Sequence, residues 1–179
     1  MRVYSLTKVS SFRWIVLPVV ALTLLLGVSA SAAILSFEAN LDGLQEVPPN
    51  ASPAFGLADF TLGTVSGFAT ITSASYQDLL GNSTAVTLNA AAPRVNGPVI
   101  LVLTLDAPSA TTGTFSGGGT LTAGNVLDMI ATSTYINLRN NVFPSGEIRG
   151  QLFQVPEPSS VMLACSGLLG LWFVGRRKK

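Results

Sequence analysis

TYINLRNNVFPSGEIRGQL, residues 134–152, alternates apolar and polar side chains along both of its arms. Ile136 and Leu138 have polar neighbours in the first arm, and Ile148 and Leu152 have them in the second. A period of two is typical of a β-strand that buries one face. The connecting NNVFPSG contains a proline with a fixed φ and a glycine with a permissive one, as a wide turn requires. The stretch therefore predicts two strands of one sheet.

The polar face of this predicted hairpin carries a pair of opposite charges. If the two strands are neighbours, Arg139 lies close to Glu147. A cross-strand ion pair on an exposed face contributes about 0.2 to 1 kcal/mol. We expect this structural pairing, rather than a catalytic role, for Glu147.

The middle of the chain continues the same pattern. Short β-rich runs separated by Gly, Pro and Asn read LSFEANL, ADFTLG, GFATITS, PVILVLTL and TGTFSGGGTLT. Only NVLDMIAT has helical character, for at most about two turns. We expect FSGGGTL to be a flexible hairpin turn. Residues 33–154 thus predict an all-β fold, a single antiparallel β-sandwich or barrel.

The N-terminus has the pattern of an export signal. A basic region ends at Arg13, and the uncharged run WIVLPVVALTLLLGV follows at 14–28. Ala30 and Ala32 then form the small-residue motif that signal peptidase accepts. Residues 1–32 therefore predict a signal peptide cleaved after Ala32; an uncleaved membrane anchor is the alternative.

The C-terminus has the pattern of a membrane helix. Residues 159–175 contain no charge, and as a helix they span roughly 25 Å. Arg176, Arg177 and two lysines follow, which predicts a cytoplasmic end by the positive-inside rule. With the export signal, this orientation places residues 33–158 outside the inner membrane. A buried core helix is the alternative, although it would hold four adjacent charges against the core.

This ending resembles the PEP-CTERM sorting tail of Gram-negative bacteria. Residues 155–179 contain Pro156, Glu157 and Pro158, then the apolar segment, then the basic end, in the order of that signal. The resemblance implies recognition by exosortase, a membrane peptidase-transferase. It further implies removal of the tail near the triplet and release or attachment outside the cell, often in bacteria that produce exopolysaccharide. The proline-rich triplet would present an extended segment to that enzyme.

Charge excludes one class of partner. The whole chain carries a net charge of +1, but residues 33–155 hold three arginines against eight carboxylates, a net charge of −5. A nucleic-acid-binding face needs clustered Lys and Arg. We therefore predict no nucleic-acid partner.

A second resemblance, to the CHRD domain, covers roughly residues 37–153. It rests on Phe37, LDGLQEVPP at 41–49, Gly56, VNGPVI at 95–100 and YINLRNNVFPSGEIRGQL at 135–152. The family motif residues in the last of these are Tyr135, Asn137, Gly146, Glu147, Arg149 and Gly150. The resemblance implies an immunoglobulin-like β-sandwich or barrel in an extracellular setting; the family's biochemical activity is poorly defined.

This chain departs from the family in having no histidine. Typical members carry His-x-His before the Asn-Gly-Pro segment and a further His after Tyr-x-Asn, where this chain has Thr87, Asn89 and Arg139. The sole cysteine, Cys165, lies in the tail. We therefore predict no zinc or copper site and no cofactor. Calcium on oxygen ligands stays open as a rival, although no D-x-D-x-D-G loop is present.

The sequence contains no visible catalytic constellation. It has no Ser/His or Cys/His pair, no G-x-S-x-G and no P-loop. The acids Asp42 and Glu46 could serve glycoside hydrolysis, but we expect solvation or turn capping. The prediction is a non-enzymatic protein, structural or adhesive in biofilm or exopolysaccharide, in contact with polysaccharide or matrix proteins. The alternative is a surface enzyme that acts on polysaccharide through carboxylates.

Overall fold

The structure, a computed structural model, describes residues 33–156 and 166–167. The predicted signal peptide and nearly all of the predicted tail helix lie outside the described residues, so both stay predictions. Within the described ranges, no helix is long and apolar enough to cross a membrane.

Residues 33–156 form ten strands, one 3-10 turn and one short helix. The strands are β1 (Ile34–Asp42), β2 (Phe55–Gly63), β3 (Phe68–Gln77), β4 (Ser83–Ala90), β5 (Val99–Leu105), β6 (Gly113–Ser116), β7 (Gly118–Thr120), β8 (Thr134–Asn140), β9 (Ile148–Gln151) and β10 (Phe153–Val155). The 3-10 turn spans Gly43–Gln45, and the helix α1 spans Ala123–Ile130.

The strands close into a barrel. Their order is β10-β1-β2-β3-β6-β5-β4-β8-β9, and β1 also pairs with β9, where Asp42 lies opposite Arg149. Eight strands therefore form a closed antiparallel ring over residues 33–156, while β7 extends along β3 and β10 along β1. The prediction of an all-β antiparallel fold is confirmed, in its barrel form.

The barrel interior is filled by the apolar face that the alternation predicted. Phe37, Ala39 and Leu41 of β1 are buried, whereas the intervening Glu38 and Asn40 are exposed. Fully burying a large apolar side chain stabilises the fold by about 1.5 to 3 kcal/mol. The core also contains Ala58, Phe60, Leu62, Val86, Leu88, Leu103, Phe115, Met129, Ile136, Leu138, Ile148 and Leu152.

The predicted hairpin of residues 134–152 is present as β8 and β9. Leu138 lies opposite Ile148, and Asn137 lies opposite Arg149. However, the expectation that its polar face is exposed is wrong. Nearly every residue of β8 and all of β9 are buried, because the loops 43–54 and 91–98 cover the outer face.

The helix prediction is confirmed, whereas the glycine-rich segment differs from its prediction. The side chain of Thr122 caps α1 by accepting from the N–H of Asn125. In FSGGGTL, Gly117 has a φ of 125° and separates β6 from β7. Both of those strands pair with β3, so the glycine kinks one continuing strand path rather than reversing it.

Candidate functional site

Three neighbouring strands carry polar side chains on the face that points away from the core. Thr87 on β4 lies opposite Asn137 on β8, and Asn137 lies opposite Arg149 on β9. All are buried, as is Glu46, which reaches the same region from the loop 43–54 with 5 % of its surface exposed. We call Glu46, Thr87, Asn89, Tyr135, Asn137, Arg149 and Gln151 the polar layer.

Side chains of the polar layer hold the loop 91–98 against the barrel. The amide of Asn89 donates to the carbonyl of Gly97 at 2.9 Å. The N–H of Gly97 in turn donates to the phenol oxygen of Tyr135 at 3.1 Å. The amide of Gln151 donates to the carbonyl of Ala91 at 3.1 Å. The buried polar side chains and the backbone groups of the loop thus satisfy each other's hydrogen bonds, which water would otherwise have to supply.

The two covering loops are also joined to each other and to the barrel. The amide of Asn96 donates to the carbonyl of Val47 at 3.0 Å, which links the loop 91–98 to the loop 43–54. The N–H of Gln151 donates to the side-chain oxygen of Gln45 at 3.2 Å, which links β9 to the 3-10 turn. The loops therefore form one cover over the polar layer.

Arg149 lies beneath this cover, where 1 % of its surface is exposed, and it forms no ion pair with a carboxylate of residues 33–156. Its guanidinium stacks on the Tyr135 ring, 3.4 Å from the ring centre. Within the part of the chain that the structure describes, it donates long hydrogen bonds, to Asn96 at 3.5 Å, to the carbonyl of Ala92 at 3.3 Å and to Gln151 at 3.4 Å. Burial lowers the pKa of Arg149 from its ordinary value, whereas electrostatic interactions with Tyr135 and Glu46 raise it.

The surroundings of Glu46 shift the pKa of its carboxyl group toward neutral pH. Burial raises its pKa from 4.5 to about 7, although the N–H of Val47 and the charges of Arg149 and Arg139 favour the ionised form. Among the described residues, neither Glu46 Oε1 nor Asn137 Oδ1 has a hydrogen-bond partner.

Both of those oxygens crowd the same point above Gly146. A Cβ atom added to Gly146 would clash with Glu46 Oε1 and with Asn137 Oδ1, and the φ of this glycine is 146°. A proton on Glu46 would supply the donor that the two acceptors lack. The arrangement therefore favours a protonated Glu46 in the folded protein.

Glu147 does not form the expected ion pair on an exposed face. Its carboxylate is fully buried and accepts from the hydroxyl of Ser52 at 2.5 Å, from the N–H of Leu80 at 2.8 Å and from the amide of Asn140. Nε of Arg139 is buried and has no partner within the described residues. Glu147 therefore fastens two loops to the end of β8, and the predicted pairing is wrong because neutral donors from those loops reach the carboxylate.

A small cleft opens beside the covering loops. It has a volume of about 210 Å3. Its lining residues are Asp42, Leu44, Gln45, Pro93, Arg94, Arg149, Gln151 and Phe153. Leu44, Arg94 and Phe153 are exposed at its rim, so the cleft combines cationic and apolar groups.

The acids Asp42 and Glu46, considered for hydrolysis, have different environments. Asp42 caps the 3-10 turn by accepting from the N–H and the side-chain amide of Gln45, both at 2.9 Å, so its predicted capping role is confirmed. Glu46 is the C-cap residue of the same turn, where its backbone N–H donates to the carbonyl of Gly43 at 3.3 Å, so its predicted capping role is also confirmed. The expectation that Glu46 is solvated is wrong, because the loop folds its side chain inward.

Comparison with known families assigns the barrel and the tail separately. The family model of the CHRD domain matches residues 37–152. The chain belongs to the CHRD domain family. The PEP-CTERM protein-sorting motif matches residues 154–178. No curated protein and no solved structure matches the chain.

The CHRD motif residues come together on the β8–β9 hairpin. Tyr135, Asn137 and Arg149 belong to the polar layer. Gly146 gives room to Glu46 and Asn137, and Gly150 lets β9 approach β1, since an added Cβ would lie 2.8 Å from the carbonyl of Asn40. The sequence alone did not indicate that Glu46 and Gln151 belong to the same layer. The only sequence feature that could have suggested a buried polar layer was the set of amide and phenol side chains on one face of the hairpin.

The positions at which typical CHRD domains carry histidine lie on this same face. Thr87 and Asn89 are neighbours on β4, and the hydroxyl of Thr87 donates to the amide oxygen of Asn89 at 2.7 Å. In residues 33–156 and 166–167, no three His, Cys, Asp or Glu side chains are grouped as a metal ion requires.

Of the predicted processing residues, only Pro156 is described, and it is exposed just after β10. Glu157, Pro158, Arg176 and Arg177 lie outside the described residues, as do Ala30 and Ala32. The matched motif supports a secreted protein that an exosortase processes at the membrane.

Proposed function

We propose that the mature CHRD domain is a non-enzymatic structural or adhesive protein that contacts exopolysaccharide or matrix proteins at the cell surface. Signal peptidase removes residues 1–32, the tail holds an inner-membrane intermediate, and exosortase cleaves near Pro156. The observation that carries the non-enzymatic part is the use of the polar layer, since its side chains hold loops in place.

Hydrolysis through carboxylates requires two carboxyl groups that flank a bound sugar, about 5 to 10 Å apart. The cleft is lined by a single carboxylate, Asp42, which already accepts two hydrogen bonds from Gln45. Glu46 and Glu147 do not line it. This arrangement supports binding without turnover.

The cleft has groups suited to an acidic polysaccharide. Guanidinium groups such as that of Arg94 bind carboxylates through paired hydrogen bonds. The exposed ring of Phe153 and the side chain of Leu44 offer apolar surface to the C–H face of a sugar. We therefore place polysaccharide contact at this rim.

A surface enzyme is the second candidate, and one observation favours it. A carboxyl group whose pKa is about 7, such as Glu46, is typical of a general acid. Only 5 % of its surface is exposed, however, so a substrate would reach it only if the covering loops opened.

Processing is tested by the intact mass of the protein recovered from its native host, in membrane and extracellular fractions. We expect an extracellular chain that begins near Ala33 and ends near Pro156. A membrane-bound chain that still ends at Lys179 would show a permanent anchor and refute the sorting step.

Binding is tested with host exopolysaccharide and the processed protein. Leu44→Ser and Arg94→Asn should weaken binding, and Asn tolerates the φ of 63° at position 94. Val102→Ser is the matched control, because Val102 and Leu44 are both 72 % exposed and Val102 does not line the cleft. Release of reducing ends by the wild type, with loss of that release in Glu46→Gln, would instead establish the enzyme.

A further inference from the structure

One end of the barrel is apolar and exposed. Three adjoining grooves meet there, lined by residues 33–36, 61–70, 121–127 and 154–156 in part. The largest has a volume of about 500 Å3. None of the described residues that line these grooves carries a charge.

The most exposed apolar side chains at this end form what we call the apolar rim. Its members are Ile34, Val65, Phe68 and Leu127. Val65 lies in the β2–β3 turn and is 75 % exposed, and Leu127 lies on the outer side of α1 and is 67 % exposed. Exposed apolar side chains that cluster without charged neighbours are typical of interaction surfaces.

Both ends of the described barrel leave from this rim. Ala33, where the processed chain is predicted to begin, lines two of the grooves. Pro156, which leads into the sorting tail, lines one of them. Antiparallel pairing of β1 with β10 sets this arrangement, since Ser36 lies opposite Val155.

The length of chain beyond Pro156 limits how far the rim can lie from the bilayer. Two residues separate Pro156 from Ser159, where the apolar run of the tail begins. Three Cα steps of about 3.8 Å span at most roughly 11 Å. The headgroup layer on one side of a bilayer is about 5 to 8 Å thick. A tail seated in the membrane therefore brings this end of the barrel to the headgroups.

We propose that the apolar rim contacts the lipid surface and so holds the barrel against the membrane while the tail is in the membrane. This inference rests on the membrane-processing step of the proposed function. This contact of the rim with lipid would hold the Pro-Glu-Pro triplet at the membrane surface, where a membrane-embedded peptidase acts. The occupant of the rim is the lipid interface, because the exposed side chains are uncharged and both chain exits lie beside them.

The test uses the full chain with Cys165→Ser, which removes the sole cysteine. A nitroxide label is attached at Val65→Cys or, as the matched control, at Val102→Cys. Val102 is similarly exposed, at 72 %, but lies on β5 and lines none of the three grooves. The proteins are reconstituted into vesicles of phosphatidylethanolamine and phosphatidylglycerol, and collisions with oxygen and with a water-soluble nickel chelate are measured.

We expect the label at position 65 to lose most of its collisions with the chelate and to gain collisions with oxygen, while position 102 stays aqueous. Equal aqueous exposure at both positions would overturn the inference. Protection from both reagents with spin–spin broadening would show a second copy on the rim and overturn it as well. Failure of the chain to float with the vesicles would remove the tail anchor, and the inference with it.

The intact mass from the native host separates the two proposals. A processed chain from the host, together with an aqueous label at position 65 of the reconstituted full chain, keeps the proposed function and refutes the contact of the apolar rim with lipid. An unprocessed chain from the host, together with a label at position 65 that contacts lipid, keeps that contact and refutes the processing step.

Discussion

Replacing Glu46 by glutamine will remove a large part of the pH dependence of the barrel's stability between about pH 5 and pH 8. Glutamine has the shape of a protonated glutamate and can donate to Asn137 Oδ1, which has no donor among the described residues. The change therefore fixes position 46 in the neutral form that the fold favours.

The sign follows from the pKa of Glu46 in the two states. In the unfolded chain the group titrates near 4.5, and burial raises its pKa in the fold to about 7. Between these values the folded state binds more protons, so the stability due to this group is present below pH 4.5 and is lost as the pH rises through 7. The two pKa values differ by about 2.5, so at about 1.36 kcal/mol per pKa unit the loss has a ceiling of about 3.4 kcal/mol, and solvent screening reduces it to about 2 kcal/mol.

The assay is urea denaturation of wild type and Glu46→Gln across that pH range, with the difference in free energy of unfolding plotted against pH. We expect near-equal stability at about pH 4.5 and a variant more stable by about 2 kcal/mol at pH 8. Asp59→Asn removes an exposed carboxylate and should follow the wild-type profile. A pH-independent difference between Glu46→Gln and wild type would refute the reasoning.

Gly146→Ala should lose about 2 to 4 kcal/mol of stability in thermal or urea unfolding, because its Cβ would meet Glu46 and Asn137 at a positive φ. Gly124→Ala in α1 meets no atom closer than 3.9 Å and should gain up to about 1 kcal/mol; equal effects at the two glycines would contradict the packing argument. Glu147→Gln should cost about 1 to 3 kcal/mol, because an amide cannot accept from all three donors, and unchanged stability would show that the carboxylate does not fasten the loops. Tyr135→Phe should cost about 1 kcal/mol through the lost hydrogen bond to Gly97, and Tyr135→Leu more, since the stack on Arg149 also disappears; equal unfolding free energies for the two variants would argue against the stack.

The strands were predictable where burial depends on local alternation. Phe37, Ala39 and Leu41 repeat with a period of two, and their inward orientation follows from that period alone. The hairpin at 134–152 and the two-turn helix at 123–130 were likewise readable from short windows.

The polar layer was not predictable, because its burial depends on loops distant in sequence. Tyr135 and Asn137 alternate with apolar residues in the same way whether water or a loop covers them. The loop 43–54 crosses from the other side of the barrel seam, about a hundred residues away. The residues next to Glu46 in the sequence do not indicate that its side chain folds inward. The predicted pairing of Glu147 with Arg139 was wrong because Ser52 and Leu80, which donate to Glu147, approach from loops distant in sequence.

The pairing of β1 with β9 and β10 sets the order in which the barrel can be completed during export. The first strand obtains β2 on one side early, but its other edge stays open until residues 148–155 arrive. An unpaired strand edge invites association with other chains, and contacts of such long sequence separation form slowly. The sorting motif matches residues 154–178, directly after β9 and overlapping β10. If the tail holds the chain in the membrane as proposed above, the final seam would close while each molecule is still tethered there, which would limit aggregation at the stage when the open edge is most exposed.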